Sequence, residues 1–228
     1  MKTTFNRIDE NSFNDLSDII YDLTKIIRFI QFTEKVSVKL YTKTDEDEIY
    51  STIIEEFNKS KKYSATILLL TDNRSKLRIA GTSEKLRIEK ATGIKIKGFK
   101  IPLKKSKFFG QVINEGKTLH FKVTDFIREL FPRPLATLIL KTRGYEKKIG
   151  IATPLTKHGK TIGILTIISP FLVEHFIPLM KNLARHISIA LELADERNEL
   201  KKTVERLRDN EEKFKKMLKN SKNPSFLL

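Results

Sequence analysis

The side chains best suited to chemistry are few and scattered. His120, His158, His175 and His186 include no pair two or four residues apart, and the eleven-residue step from His175 to His186 cannot form the adjacent-turn metal pair that a spacing of four provides on a helix. No serine sits in a nucleophile elbow with histidine and acid partners, no glycine-rich loop is set to cradle a phosphate, and no two carboxylates are paired for acid–base work. The chain has no cysteine, which removes disulfides, thiolate nucleophiles, thioether attachment of a chromophore and every cysteine-based metal or iron–sulfur site. The remaining chemistry is non-covalent recognition by aromatic, hydroxyl and cationic side chains. A non-catalytic chain with no metal site is expected.

A net charge of +16 raises the question of a polyanionic partner. Lys95, Lys97, Lys100, Lys104, Lys105 and Lys107 form the densest basic run, but aromatics are not interleaved as in a base-stacking surface, and no helix-turn-helix is evident. A generally basic solvated surface accounts for this charge, and a nucleic-acid-associated regulator is the alternative. Asp9, Glu10, Asp15 and Asp18 interrupt the N-terminal stretch where a secretory signal needs an apolar run, and no other run approaches a membrane span. The expectation is a cytoplasmic chain without membrane contact.

The elements follow from periodicity. Leu16, Ile19, Leu23, Ile26 and Ile30 recur at helical spacing and mark one face of a first helix, whose regularity weakens at Thr33 and Ser37. The stretch from Val38 to Thr44 reads ambiguously, with a strand as one option. Thr44 to Asp47 supplies caps for a second helix carrying Ile49, Ile53, Ile54 and Phe57. Residues 64–71 and 77–80 read as a hairpin, Thr82-Ser83 caps a short helix ending at Gly93, and a third strand falls near Gly98 to Pro102. Ser106 caps a helix through Ile113, followed by a strand at Thr118 to Phe121, a helix from Thr124, and another at Leu135 to Leu140 after two prolines. Lys148 to Pro154 and Thr161 to Ile168 form the closing hairpin, with a turn at His158-Gly159-Lys160. A one-turn segment at Leu172 to Phe176 then leads into a helix with Pro178 in its first turn. Leu193, Leu200, Val204, Leu207, Phe214 and Leu218 continue this helix as a thin apolar seam in a charged background, which predicts pairing with another helix, most simply a second copy of the chain in parallel.

This order resembles the GAF family of small sensory and regulatory domains. The likeness is carried by KKIGIATPLTKHGKTIGILTIISPFLVEHFIPLMKNLARHISIAL (147–191), with its strand, Pro-Leu, glycine turn, Gly-Ile-Leu strand and closing helix. SATILLLTDNRSKLRIAGTSEKL (64–86) resembles the first hairpin and FFGQVINEGKTLHF (108–121) the central helix and strand. Residues 195–220, DERNELKKTVERLRDNEEKFKKMLKN, resemble a signalling helix entering the start of a PAS domain, as in sensor histidine kinases and related multidomain proteins. The resemblance implies an α/β (α+β) fold with a six-stranded antiparallel sheet, helices on both faces, and long N- and C-terminal dimerisation helices. It also implies three parts: a lead and helix at 1–43, a sensor domain at 44–194, and an output helix with an incomplete PAS start at 195–228.

The expected function is a homodimeric sensor module that reads a small molecule or partner state and passes it to downstream domains, such as a histidine kinase. A ligand-free spacer is the alternative within the same family. Family ligands sit between the sheet and the middle helices, so the implied binding residues are Phe109, His120, Phe121, Phe126, Phe131, Arg143, Tyr145, Lys148 and Thr153, with Thr166 a further contributor. His120, Arg143 and Lys148 would meet an anion. The implied dimer interface takes Leu16, Ile19, Leu23, Ile26 and Ile30 from the first helix, and Leu193, Leu200, Val204, Leu207 and Phe214 from the last. No cofactor is assigned. The absence of cysteine sets aside a covalently bound bilin. Asn114, Lys117, Phe121 and Asp125 depart from the family's cyclic-nucleotide pattern, because Asn114 lacks an adjacent Lys and Phe126 stands where a Glu would follow Asp125.

Overall fold

The computed structural model describes residues 10–93, 95–96, 98–141, 145 and 147–221. Helix α1 spans Glu10–Leu40. It contains no Gly or Pro, and it does not stop where Thr33 and Ser37 interrupt the apolar pattern. Both hydroxyls turn back onto the helix, Thr33 Oγ1 donating to the Ile30 carbonyl at 3.0 Å and Ser37 Oγ to the Thr33 carbonyl at 2.9 Å. Two buried polar groups are thereby satisfied within the helix. The strand option for Val38 to Thr44 is therefore corrected: α1 continues to Leu40 and a turn follows.

Helix α2 (Glu46–Ser60) begins where Asp45 accepts a hydrogen bond from the Glu48 amide at 2.7 Å, the N-cap that the acidic cluster suggests. Strands β1 (Ser64–Leu70) and β2 (Lys76–Thr82) form the first hairpin. The second strand runs to Thr82, so Glu84, rather than Thr82-Ser83, precedes helix α3 (Lys85–Thr92), and Gly93 closes that helix in the left-handed region. Strand β3 (Lys100–Pro102) is followed by helix α4 (Lys107–Asn114), capped by Ser106 as expected.

Strand β4 (Leu119–Lys122) leads directly into helix α5 (Val123–Leu130), which begins just before the Thr124 start expected from the sequence. Helix α6 (Arg133–Lys141) carries Pro134 in its first turn, where the missing N–H costs nothing. Strands β5 (Ile149–Lys157) and β6 (Lys160–Ser169) are joined by His158 and Gly159, both at positive φ, as a two-residue hairpin turn with matching twist requires. A 3-10 turn at Glu174–Phe176 then enters α7 (Ile177–Ser221), placing Pro178 in the first helical turn.

The six strands form one antiparallel sheet in the order β3-β2-β1-β6-β5-β4. Successive side chains of a strand face opposite sides, so the apolar runs of β1, β5 and β6 feed two cores. On one side Ala65, Ile67, Ile151, Leu155, Leu165 and Ile167 pack beneath α1, α2 and the first half of α7. Phe29 of α1 lies edge-on to Tyr63 and Phe176, with ring centroids 4.9 and 5.3 Å away. On the other side Leu68, Leu77, Ile79, Ala152 and Ile164 pack beneath α4, α5 and α6. This is the six-stranded α/β architecture expected from the sequence, with α1, α2 and α7 sharing one face.

Candidate ligand cavity

The irregular face of the sheet encloses a cavity of about 100 Å³. Its floor comes from Leu68, Ile79 and Ile168 on the strands, and its roof from Ile88 on α3, Phe126 and Ile127 on α5, Phe131 just after it, and Ile139 on α6. Phe131 stacks near Phe99 at 5.9 Å. Most of this wall is apolar, and its polar groups are confined to one row and one corner.

The row is set by strand register. Thr66 of β1 lies opposite Thr82 of β2 on one side and Thr166 of β6 on the other, and all three threonines line the cavity. Thr66 and Thr82 share a hydroxyl–hydroxyl hydrogen bond of 2.8 Å, and Thr82 Oγ1 also accepts from the Glu84 amide at 3.2 Å. Thr166, only 3% exposed, ends the row with a hydroxyl that has no hydrogen-bond partner. A hydroxyl buried without a partner costs about 1–3 kcal/mol; among the described residues Thr166 Oγ1 and His120 Nε2 are the two buried side-chain atoms in this position, and only the threonine lines the cavity.

The corner is Glu84, 8% exposed at the entrance to α3. Its carboxylate accepts hydrogen bonds from the Ser64 hydroxyl and, at 3.2 Å, from the Tyr145 hydroxyl. The Lys148 ammonium stands 3.8 Å from the same carboxylate and 4.7 Å from the Tyr145 ring centre. The lysine charge thus stands beside the Glu84 carboxylate.

Of the candidate residues, Phe126, Phe131, Tyr145 and Thr166 line the cavity. Phe109 is fully buried beside it, 5.0 Å from Phe126. Phe121 packs on Phe126 at 5.0 Å and lies over Gly150, where a Cβ would come within 2.2 Å of its ring. These two phenylalanines support the wall. Lys148 joins it only through the Glu84 corner. His120 pairs with Ile151, and Thr153 lies two residues further along β5 from that same position, so both face the α7 side, away from the cavity. Thr153 exchanges a hydrogen bond with Thr118 at 2.8 Å. Arg143 lies outside the described residues. Thr66, Thr82 and Glu84 are the polar lining residues that sequence reading missed. Their only signal is a polar residue inside or just after an apolar strand, and that signal gains meaning only once the strands are in register.

A second cluster joins the sheet to α7 on the opposite face. The Lys157 ammonium, at the end of β5, bridges Glu46 of α2 and Asp195 of α7, the latter at 2.6 Å. His158 in the turn reaches Asp195 through Nε2 at 3.3 Å, and its amide donates to Glu192 at 2.6 Å. Arg197 donates to the carbonyls of Tyr41 and Lys43 at 3.0 and 3.2 Å, and the Asn198 amide to that of Thr44 at 3.1 Å. Burial alone pushes the Asp195 carboxyl up, but the hydrogen bonds from Lys157 and His158 outweigh it and hold it below the ordinary carboxylate value. The clasp sits where α7 leaves the body of the fold. Ala194 is 1% exposed and Leu193 half-buried, whereas every side chain from Glu196 to Leu218 is exposed.

Among the described residues, no group of three metal-ligating side chains comes together, and no helix is long and apolar enough to cross a membrane. No family model matches the sequence, and no curated protein matches it. Solved structures do. The GAF domain of a phosphoenolpyruvate-protein phosphotransferase from Coxiella burnetii superposes with a TM-score of 0.55 at 11% identity, covering 76% of this chain and 96% of its own. Free methionine-R-sulfoxide reductase from Neisseria meningitidis, solved with its substrate, gives 0.54 at 14% identity over 75% and 93%. The phycoerythrobilin-bound GAF domain of a cyanobacterial phytochrome gives 0.51 at 8% identity over 74% and 96%. At such identities the likeness concerns the fold: it is GAF-like, with the sheet, its flanking helices and a long C-terminal helix.

Proposed function

We propose that the chain is a non-catalytic, cytoplasmic sensory module that works as a homodimer and passes the state of its cavity to a downstream signalling domain, such as a histidine kinase. The single observation carrying this reading is the continuity of α7. Its first half covers the sheet, and its second half projects beyond with Leu200, Val204, Leu207 and Phe214 between 56 and 65% exposed in one stripe. Such a stripe on a charged rod is stabilised by a second helix. Leu16, Ile19, Leu23 and Ile30 are likewise exposed on α1 and extend the proposed interface, whereas Ile26 packs against its own core.

In this reading the N-terminal half of α1 leads into the bundle, its buried C-terminal half joins residues 44–194 as the sensor, and 195–228 carry the output. The GAF domains of the phosphotransferase and the phytochrome support the sensory part by fold alone, and the phytochrome domain holds a bound bilin. The route from cavity to output is the β5–β6 hairpin. Strand β6 presents Thr166 to the cavity, and the hairpin end is tied to Asp195 through Lys157 and His158. Light scattering on the full chain tests the dimer. The reading expects twice the chain mass, reverting to one on Leu200→Lys combined with Leu207→Lys, while a monomer at high concentration contradicts it.

A further inference from the structure

Building on that reading, we infer that the cavity selects a small, uncharged, mostly apolar molecule carrying one hydroxyl or carbonyl, which hydrogen-bonds the Thr166 hydroxyl. Size sets the first limit. A cavity of about 150 Å³ admits benzene, so this one, at about 100 Å³, seats a smaller body, of about four non-hydrogen atoms. Polarity sets the second. Phe126, Phe131 and the isoleucines offer only apolar contact to the body of such a molecule.

Charge sets the third limit. Glu84 is the one ionisable carboxylate among the described lining residues, and its oxygens already serve Ser64, Tyr145 and Lys148. Among the described lining residues an anion would meet the Glu84 charge and no cationic side chain, and a cation would meet a carboxylate already paired with Lys148. Burying either without a new partner is unfavourable, so a neutral molecule is selected. The position of the polar group follows from the threonine row. Thr66 and Thr82 bond each other and Thr82 also takes the Glu84 amide, which leaves the Thr166 hydroxyl, buried and unpartnered, facing the cavity. A hydroxyl both donates and accepts, so an alcohol or a ketone of this size can satisfy it.

2-Propanol, isobutane and isopropylammonium share one isopropyl group and differ in the group offered to Thr166. Their binding to the full chain is measured by chemical-shift titration of threonine and isoleucine methyl groups. 2-Propanol is expected to bind tightest. Thr166→Val, which keeps the shape but lacks the hydroxyl, should weaken 2-propanol roughly three- to tenfold while leaving isobutane unchanged, and Thr166→Ser should restore the preference. Equal binding of 2-propanol and isobutane, or tightest binding of the ammonium, overturns this inference and leaves a ligand-sensing cavity standing. Failure of all three probes to shift any cavity methyl overturns the inference together with ligand sensing, and favours the spacer.

Discussion

At the scale of single residues, charge and burial make separate predictions. Glu56 is 4% exposed, and hydrogen bonds from Lys39 of α1 and Lys59 hold its carboxyl below the ordinary value; Asp195 is depressed by its bonds to Lys157 and His158 despite its burial. A carboxyl whose folded pKa is depressed contributes stability above its unfolded value and loses it as pH falls through the folded one. The thermal midpoint should therefore fall as pH drops from about 4 downward, and Asp195→Asn should remove part of that fall. Circular dichroism melts across this range check both. Thr166→Val should act in the opposite sense on the isolated chain, raising stability by about 1 kcal/mol because it deletes a buried unpartnered hydroxyl. Urea denaturation reads that gain. The sequence exposed this level only partly. Phe126, Phe131, Tyr145 and Thr166 were legible as cavity residues, whereas Thr66, Thr82 and Glu84 depended on cross-strand register, and a one-residue difference in face removed His120 and Thr153.

At the scale of elements, the packing of α1 decides whether it is a core helix or an appendage. Phe29, Val36 and Leu40 are fully buried against Phe176, α2 and α7, so the C-terminal half of α1 belongs to the sensor body, while Leu16, Ile19, Ile20 and Leu23 face outward. Phe29→Ala should cost about 3–5 kcal/mol, and Leu23→Ala little in stability, as measured by denaturant midpoints at unchanged slope. Element types were well marked in the sequence because strand and helix periods differ and Asp45, Ser106, Gly93 and the His158-Gly159 turn end them sharply. The boundaries that shifted had a physical reason. Thr33 and Ser37 bond within the helix and so do not end it, and β2 runs on through Thr82 because that residue pairs with Thr66.

At the scale of the whole molecule, the two faces of one sheet have different tasks. The irregular face encloses the cavity, the helical face carries α7, and strand β6 with its hairpin turn belongs to both. Cutting the clasp with Asp195→Ala should increase amide exchange in α7 around Glu192 to Asn198 while leaving the distal rod unchanged, and mass-resolved hydrogen exchange checks it.

The central claim is that the exposed stripe of α7 pairs in parallel with a second copy. Because the chain has no cysteine, Lys202→Cys and Lys216→Cys each give one unique spin-label site, two heptads apart on the outer side of the rod. Parallel pairing, with helix axes about 8–10 Å apart, predicts one similar short interspin distance for both variants by double electron–electron resonance. In an antiparallel pair the axial offsets at the two sites sum to at least roughly 40 Å, given about 1.5 Å of rise per residue, so the two distances cannot both be short. One or two distances lengthened in this way, or no dipolar signal, would contradict the account.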